Sequence, residues 1–532
     1  MTTLKNLESL LTSGKINRRQ FITQASALGL TATISPALFA ASAKAAAPQK
    51  GGRLRLGLTG GSTTDSLDPA TLASTMPVNI NFQLCNCLVE IDHQGNAVPE
   101  LAESWEATPD ASQWTFKLRK GIEFHNGKTL DAEDVINCFN YHRSEGSKSA
   151  VKSVLAPIKE IKADGKDTVI FTLEAGNADF PFVASDWHLT IFPAGTEGPG
   201  FEKGIGTGGY MLVEHEPGVR ALTKRNPNYW KEGRAHFDEV ETLHIADITA
   251  RTNALRTGQI DVLDRCELKT VHLLAKIPGI EIVRTAGPLH YSFPMRTDTA
   301  PFDNPDVRLA LKLAIDREQM LKTILRGYGT LGNDNPIGTT YQFHATEVDI
   351  PQRTYDPEKA RDLMKKAGLS NHTFQLHAAE AAFAGAVDAA LLVKESASKA
   401  GINIEVVREP NDGYWSNVWM KKPWCQGYWA GRATADAMFT AAYGEAASWN
   451  ETFWKNERFN TLLKEARSEL DTQKRHLQYV EMQRLVHNDG GVIIPMFADY
   501  VEGATSKLQH GTSAGNLELD GQRLAERWWF KS

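Results

Sequence analysis

The order in which two kinds of periodicity appear limits what this chain can fold into. Early on, apolar residues alternate with polar ones. Leu54, Leu56 and Leu58 face away from Arg53 and Arg55 in "GGRLRLGLT", and Trp114, Phe116 and Leu118 alternate with Thr115, Lys117 and Arg119. Period two is the signature of a half-buried strand, and "DTVIFTLE" at 167–174 reads the same way. The second half turns helical. In "DNPDVRLALKLAIDREQML", Asn304 caps, Pro305 takes the first helical position, and Val307, Leu311, Ala314 and Ile315 form one buried stripe. "YDPEKARDLMKKAG" repeats the device with Asp356, Pro357 and a closing Gly368, and helical runs follow at 458–470 and 474–487. Strand-like "GGVIIPMF" then returns. Strands, helices and strands again predict an α/β chain that leaves one lobe and comes back to it. At 532 residues the chain is too long for one core, so two or three lobes are expected.

Composition narrows the partners. With 42% hydrophobic and 23% charged residues and a mean hydropathy of −0.34, the chain is globular in character. Residues 1–43 carry Lys5, Lys15, Arg18 and Arg19 against Glu8, a net +3; set against the chain's −6, this leaves −9 for the remainder. That balance argues against nucleic acid or an anionic membrane as partner. The basic segment reads as an address. "NRRQFI" at 17–22 places paired arginines before an apolar run rich in Ala, Thr and Gly, interrupted by Pro36 and too polar for a membrane span. A-x-A steps follow at Ala41/Ala43 and Ala43/Ala45. These features resemble a twin-arginine export signal, with cleavage after Ala43 or Ala45 and a periplasmic destination. No cysteine follows the run to carry a lipid anchor. The five cysteines (Cys85, Cys87, Cys138, Cys266, Cys425) are too few and too scattered for a zinc site, and any disulfide would only supplement the core.

Catalytic motifs occur by letter and fail by context. "GTSAG" at 511–515 mimics a nucleophile elbow at Ser513, but no histidine follows His510 to complete a triad. "GIGTGG" at 204–209 mimics a dinucleotide fingerprint, yet "YMLVEHEPG" after it reads as strand and turn where a helix is required; the glycines suit a backbone crossing between lobes. The histidines show no metal-ligand spacing, and Asp131 with Asp134 is explained by helix capping. No enzyme, metal or cofactor is expected.

At "ELAESWEATPDASQWTFKLRKGIEFHNGKTLDAEDVINCF" the chain resembles the signature region of the extracellular solute-binding protein family 5, the peptide, nickel and opine class of ABC importers. Further matches come in family order: "SLDPA", "GTGGYML" before "NPNYW", "ARTNALRTGQIDVL", "FDNPDVRLALKLAIDREQM", "YDPEKARDLMKKAG" and "YVEMQRLVHNDGGVIIPMF". The resemblance implies a two-lobed periplasmic binding protein fold with an extra inserted domain and two crossing segments as hinge. Lobe I would comprise about 50–84, 206–288 and 498–532, the insert 85–205, and lobe II 289–497. It also implies a monomer that closes on a small-molecule or peptide ligand and delivers it to a membrane permease and ATPase complex. The same fold binding an oligosaccharide or metal chelate is an alternative reading, and a secreted hydrolase is one from another class.

Peptide-binding members usually carry an aspartate after the aromatic "GYW", where it meets the ligand's ammonium. Here "GYWAGRATAD" puts Arg432 at or beside that position, with Asp436 four residues on. Two roles are open to Arg432: gripping an anion or ring face, or pairing with Asp436 to stiffen the loop. Trp429 and then Trp415 are the best placed aromatics for a ligand wall, because Gly427 and Gly431 permit close approach. Asn333, Asp334 and Asn335 of "GNDNPI" could offer hydrogen bonds to a ligand or simply form a turn, and Tyr291 near the second crossing is a further candidate.

Overall fold

A computed structural model describes residues 48–195, 203–445 and 447–531. The expected export signal and its cleavage point lie outside these residues. The fold hangs on two long antiparallel strands, Ile280–Pro294 and Val492–Thr505, paired from Ile280↔Thr505 to Pro294↔Val492. They are the second and third strands in the order of a nine-stranded mixed sheet. At one end, Val262–Leu263 pairs with Val492–Thr505, and beyond it come Arg53–Leu58, Glu239–His244, Arg220–Arg225 and Tyr210–Glu216. At the other end, Gly427–Trp429 and Gly329–Leu331 add to opposite members of the long pair. The register breaks between Ala286 and His290, midway along the ladder. A bulge there bends the strands between the two halves.

Each half buries its own apolar residues. Leu54, Leu56, Leu58, Tyr210, Val240 and Trp528 fill one. The other packs Val307, Leu311, Ala314 and Ile315, the predicted stripe, against a parallel pair, Thr373–Ala378 and Asn403–Arg408. A third core, Trp114, Phe116, Phe139 and Phe171, sits beneath an antiparallel sheet of Ala102–Ala107, Gln113–Leu118, Thr168–Leu173 and Ile158–Ala163. Helix Ala132–Arg143 covers it and opens on the Asp131/Asp134 capping box. Gly206 and Gly208 run against the Leu84 backbone so closely that a Cβ would stand 2.3 and 2.4 Å from main-chain atoms, which explains the glycines there.

One expectation changes. The run from Asn304 is two helices, Pro305–Leu313 and Arg317–Ile324, because Asp316 accepts the Gln319 N–H and caps a new start. All five cysteines are buried free thiols, with Cys85 ending helix Thr75–Leu84. No described helix is long and apolar enough to cross a membrane.

Among the described residues the third core meets the far half at one ionic contact. The Asp179 carboxylate lies 2.7 Å from Arg475, both buried, and the Ala178 N–H donates to the Arg467 carbonyl at 2.7 Å.

Candidate functional site

Strand Gly427–Trp429 lies at the sheet edge, with Trp429 opposite His290, Tyr428 opposite Tyr291 and Gly427 opposite Ser292. Alternation places Trp429, His290 and Ser292 on one face, and Tyr428 with Tyr291 on the other. The chain then turns at Gly431. Its φ of +89° and a Cβ position 2.5 Å from Pro288 leave room only for glycine. Thr434 next caps helix Ala435–Ala442 through the Ala437 N–H.

Arg432 occupies the turn between strand and helix. Its backbone N–H donates to the Tyr341 hydroxyl at 2.9 Å and its Nη1 to the Gly431 carbonyl at 2.7 Å. The guanidinium carbon stands 5.3 Å from the Trp429 ring and 5.8 Å from Trp449, the range of cation–π attraction. Among the described residues no carboxylate pairs with it. Burial pushes its pKa down. The buried His290 nearby donates from Nδ1 to the Pro288 carbonyl, and burial, reinforced by Arg432, pulls its pKa to about 4.

Asp436 is committed elsewhere. Arg467 Nε donates to both its oxygens at 3.2 and 3.3 Å, and the Tyr479 hydroxyl lies 3.4 Å away. The pairing of Arg432 with Asp436 is therefore not formed. The "GNDNPI" segment is also tied into the fold. Asp334 is fully buried, accepting from Arg317 at 2.7 Å on both oxygens, from Arg353 Nε at 2.8 Å and from the Ile494 N–H at 3.1 Å. Despite burial those cations hold its pKa down at about 2. Asn333 bonds the backbone at Ile350, Pro351 and Arg353, while Asn335 accepts the Ile337 N–H, a turn role.

The aromatics divide along the strand. Trp429 is buried and bonds through Nε1 to Glu451 at 3.2 Å; Trp449, 6.0 Å from it, is 49% exposed. On the other flank Trp415 and Tyr428, 41% and 46% exposed, meet edge to face at 5.6 Å, with Trp419 5.8 Å from Trp415. Tyr291 lies flat on Phe383 at 4.1 Å, and burial pushes its hydroxyl up to about 12. Tyr341, His290 and Glu451 join this site without any signal in sequence spacing. Each reaches it from a different element. Next to Tyr341, Thr340 lies against Gly95 of the third core and Gly515 near the C-terminus. The Arg432 turn is thus anchored where three parts of the fold meet. Among the described residues no cluster could hold a metal ion.

Two α/β halves joined by a long strand pair give the α/β periplasmic binding protein fold. The chain matches "Bacterial extracellular solute-binding proteins, family 5 Middle" over residues 96–451, more than half its length, and belongs to that family of ABC-importer solute-binding proteins. It is 28% identical over 317 residues to Heme-binding protein A of Haemophilus influenzae, covering 54% of this chain and 57% of that one, so the match spans little more than half of that relative. It is 25% identical over 478 residues to the glutathione-binding protein GsiB of Pectobacterium atrosepticum, covering 87% of this chain and 90% of that one. HbpA2 from Haemophilus parasuis superposes with a TM-score of 0.79 at 21% identity, covering 88% of this chain and 99% of that one. AgaA of A. tumefaciens R10, in complex with agropinic acid, gives 0.70 at 23%, covering 90% and 99%.

Proposed function

We propose that this protein captures a peptide or opine-like solute bearing an anionic group, closes its lobes over it and delivers it to an ABC importer's permease and ATPase. The observation that carries the reading is Arg432. A half-buried guanidinium between two indoles, without a carboxylate partner among the described residues, suits a ligand carboxylate taken bidentately. Trp429 and Trp449 supply one aromatic wall, and Trp415 with Tyr428 forms a second on the other flank of the strand. Asp436, Asn333, Asp334 and Asn335 act one step removed, holding the frame. That AgaA, in complex with agropinic acid, shares the fold supports the reading, as does the likeness to a glutathione-binding protein along most of the chain. Closure would pivot on the long strand pair, with lobes near 50–84, 206–288 and 498–532 against 289–497 and the insert at 85–205. The protein would act as a monomer in the periplasm after twin-arginine export.

Native mass spectrometry of the protein recovered from its own periplasm tests this. The expected result is an adduct of a carboxylate-bearing peptide or opine-like molecule, released on denaturation. A neutral oligosaccharide or a metal chelate recovered instead would overturn the ligand class, and catalytic turnover of the recovered solute would overturn the binding function.

A further inference from the structure

Glu451 is a carboxylate with no cation. It is 3% exposed, and among the described residues no Lys, Arg or His lies within ion-pair distance of it. Its partners are three neutral donors: Trp419 Nε1–H at 2.6 Å, Ser292 Oγ–H at 2.9 Å and Trp429 Nε1–H at 3.2 Å. The titratable groups in electrostatic reach are Tyr414, Tyr443 and Cys425, all pushed up by burial and so uncharged. A buried acid without a counter-ion costs stability, and a neutral core would be cheaper. What the acid provides is geometry. Burial raises its pKa, while the three donors oppose that by favouring the ionised form, which is an acceptor only and can hold them all.

The two indoles it holds belong to different walls. Trp429 leads to Arg432 and Trp449, while Trp419 leads to Trp415 and, through it, Tyr428. We infer that Glu451 is the positioning residue of the solute site, one buried carboxylate fixing the rotation of both indoles and thereby the spacing between the aromatic wall beside Arg432 and the one on the other flank of the strand. The inference rests on the site proposed above. Indole N–H is a donor only, so rotating either ring away would strand a donor, and rotating Trp419 would also leave Glu451 Oε2 without the donor that meets it. The walls therefore hold their spacing before a solute arrives, which lowers the ordering cost of binding.

The test uses the mature protein labelled with 15N in its indoles, with Trp419→Phe and Trp429→Phe assigning the two resonances. In the parent both are expected far downfield, and both shift together in a single step as acid protonates Glu451. Glu451→Gln replaces one acceptor oxygen with an amide that faces an N–H, so at least one resonance moves upfield and the shared step vanishes. Affinity for the copurified solute should fall about fivefold, the ordinary net worth of one hydrogen bond. Ser292→Ala removes a donor but leaves both indoles held; it should keep the downfield pair, and it serves if Glu451→Gln does not fold. Indole resonances unmoved by Glu451→Gln, or lost in Ser292→Ala, would overturn the proposal. The resonances need no solute, so they stand or fall apart from the ligand class.

Discussion

Removing the Arg432 guanidinium tests the solute site most directly. The side chain spends one N–H on the Gly431 carbonyl, and no other acceptor meets it among the described residues, which leaves the rest of its fork free. A solute carboxylate could take two of those hydrogens. Charge-assisted bonds are worth about 1.5–3 kcal/mol each, and the half-exposed position screens part of that, so Arg432→Ala should weaken binding by about 2–4 kcal/mol. In affinity this is about 30- to 1,000-fold. Arg432→Lys keeps the charge and loses the fork, so it should fall between the parent and Arg432→Ala. The fold should hardly notice. No buried acid is stranded by the change, and the lost cation–π contacts are worth only about 0.5–1 kcal/mol each. Isothermal titration with the copurified solute, beside a urea melt, reads both quantities. Repeating it with the solute's carboxamide closes a cycle: the variant should discriminate little between acid and amide, while the parent discriminates strongly. Unchanged affinity in a folded Arg432→Ala protein, or equal discrimination in both, would refute the anion role.

Further outcomes follow from three buried carboxyl groups. Asp334→Asn should leave solute affinity unchanged while lowering stability by about 3–5 kcal/mol, since Arg317 and Arg353 lose their shared carboxylate; a denaturant melt with a parallel titration checks both. For the same group, native stability is full above the ordinary carboxylate range and is lost as pH falls from about 4 toward about 2, and Asn should remove that acid loss. Glu502 behaves oppositely. Burial raises it to about 8, so its folded form holds a proton that the unfolded chain releases near its ordinary value. Stability is full below that value and falls at up to about 1.4 kcal/mol per pH unit as pH rises toward 8, a slope Glu502→Gln should abolish in melts across that window. Asp179→Asn strands the buried Arg475 and should speed amide exchange at Ala178, whose N–H crosses to Arg467; exchange equal to the parent would show the contact carries no weight.

What could be read from the sequence was local. Asp131, Asn304 and Asp356 each cap a helix within three residues of themselves, so their roles are visible in any short window. Asp316 used the same local chemistry inside an unbroken apolar stripe, and the stripe hid it. The polar residues of the site obey no such window. Asp334 finds Arg317 and Arg353 17 and 19 positions away, Asp436 finds Arg467 at 31, and Ser292 reaches Glu451 across 159. Periodicity tells which face a residue occupies and nothing about which partner waits there.

Arg432 and Asp436 show why spacing alone misleads even at short range. Four residues apart suggests an ion pair along one helix face, where side chains at that interval meet. The relation holds only if both residues are helical. Thr434 caps helix Ala435–Ala442, so Asp436 lies in its first turn while Arg432 stands outside, on a chain redirected by Gly431. The cap therefore decides the electrostatics. It sends Asp436 inward to Arg467 and Tyr479, with the helix N-terminus favouring an acid there, and leaves Arg432 facing the indoles without a partner.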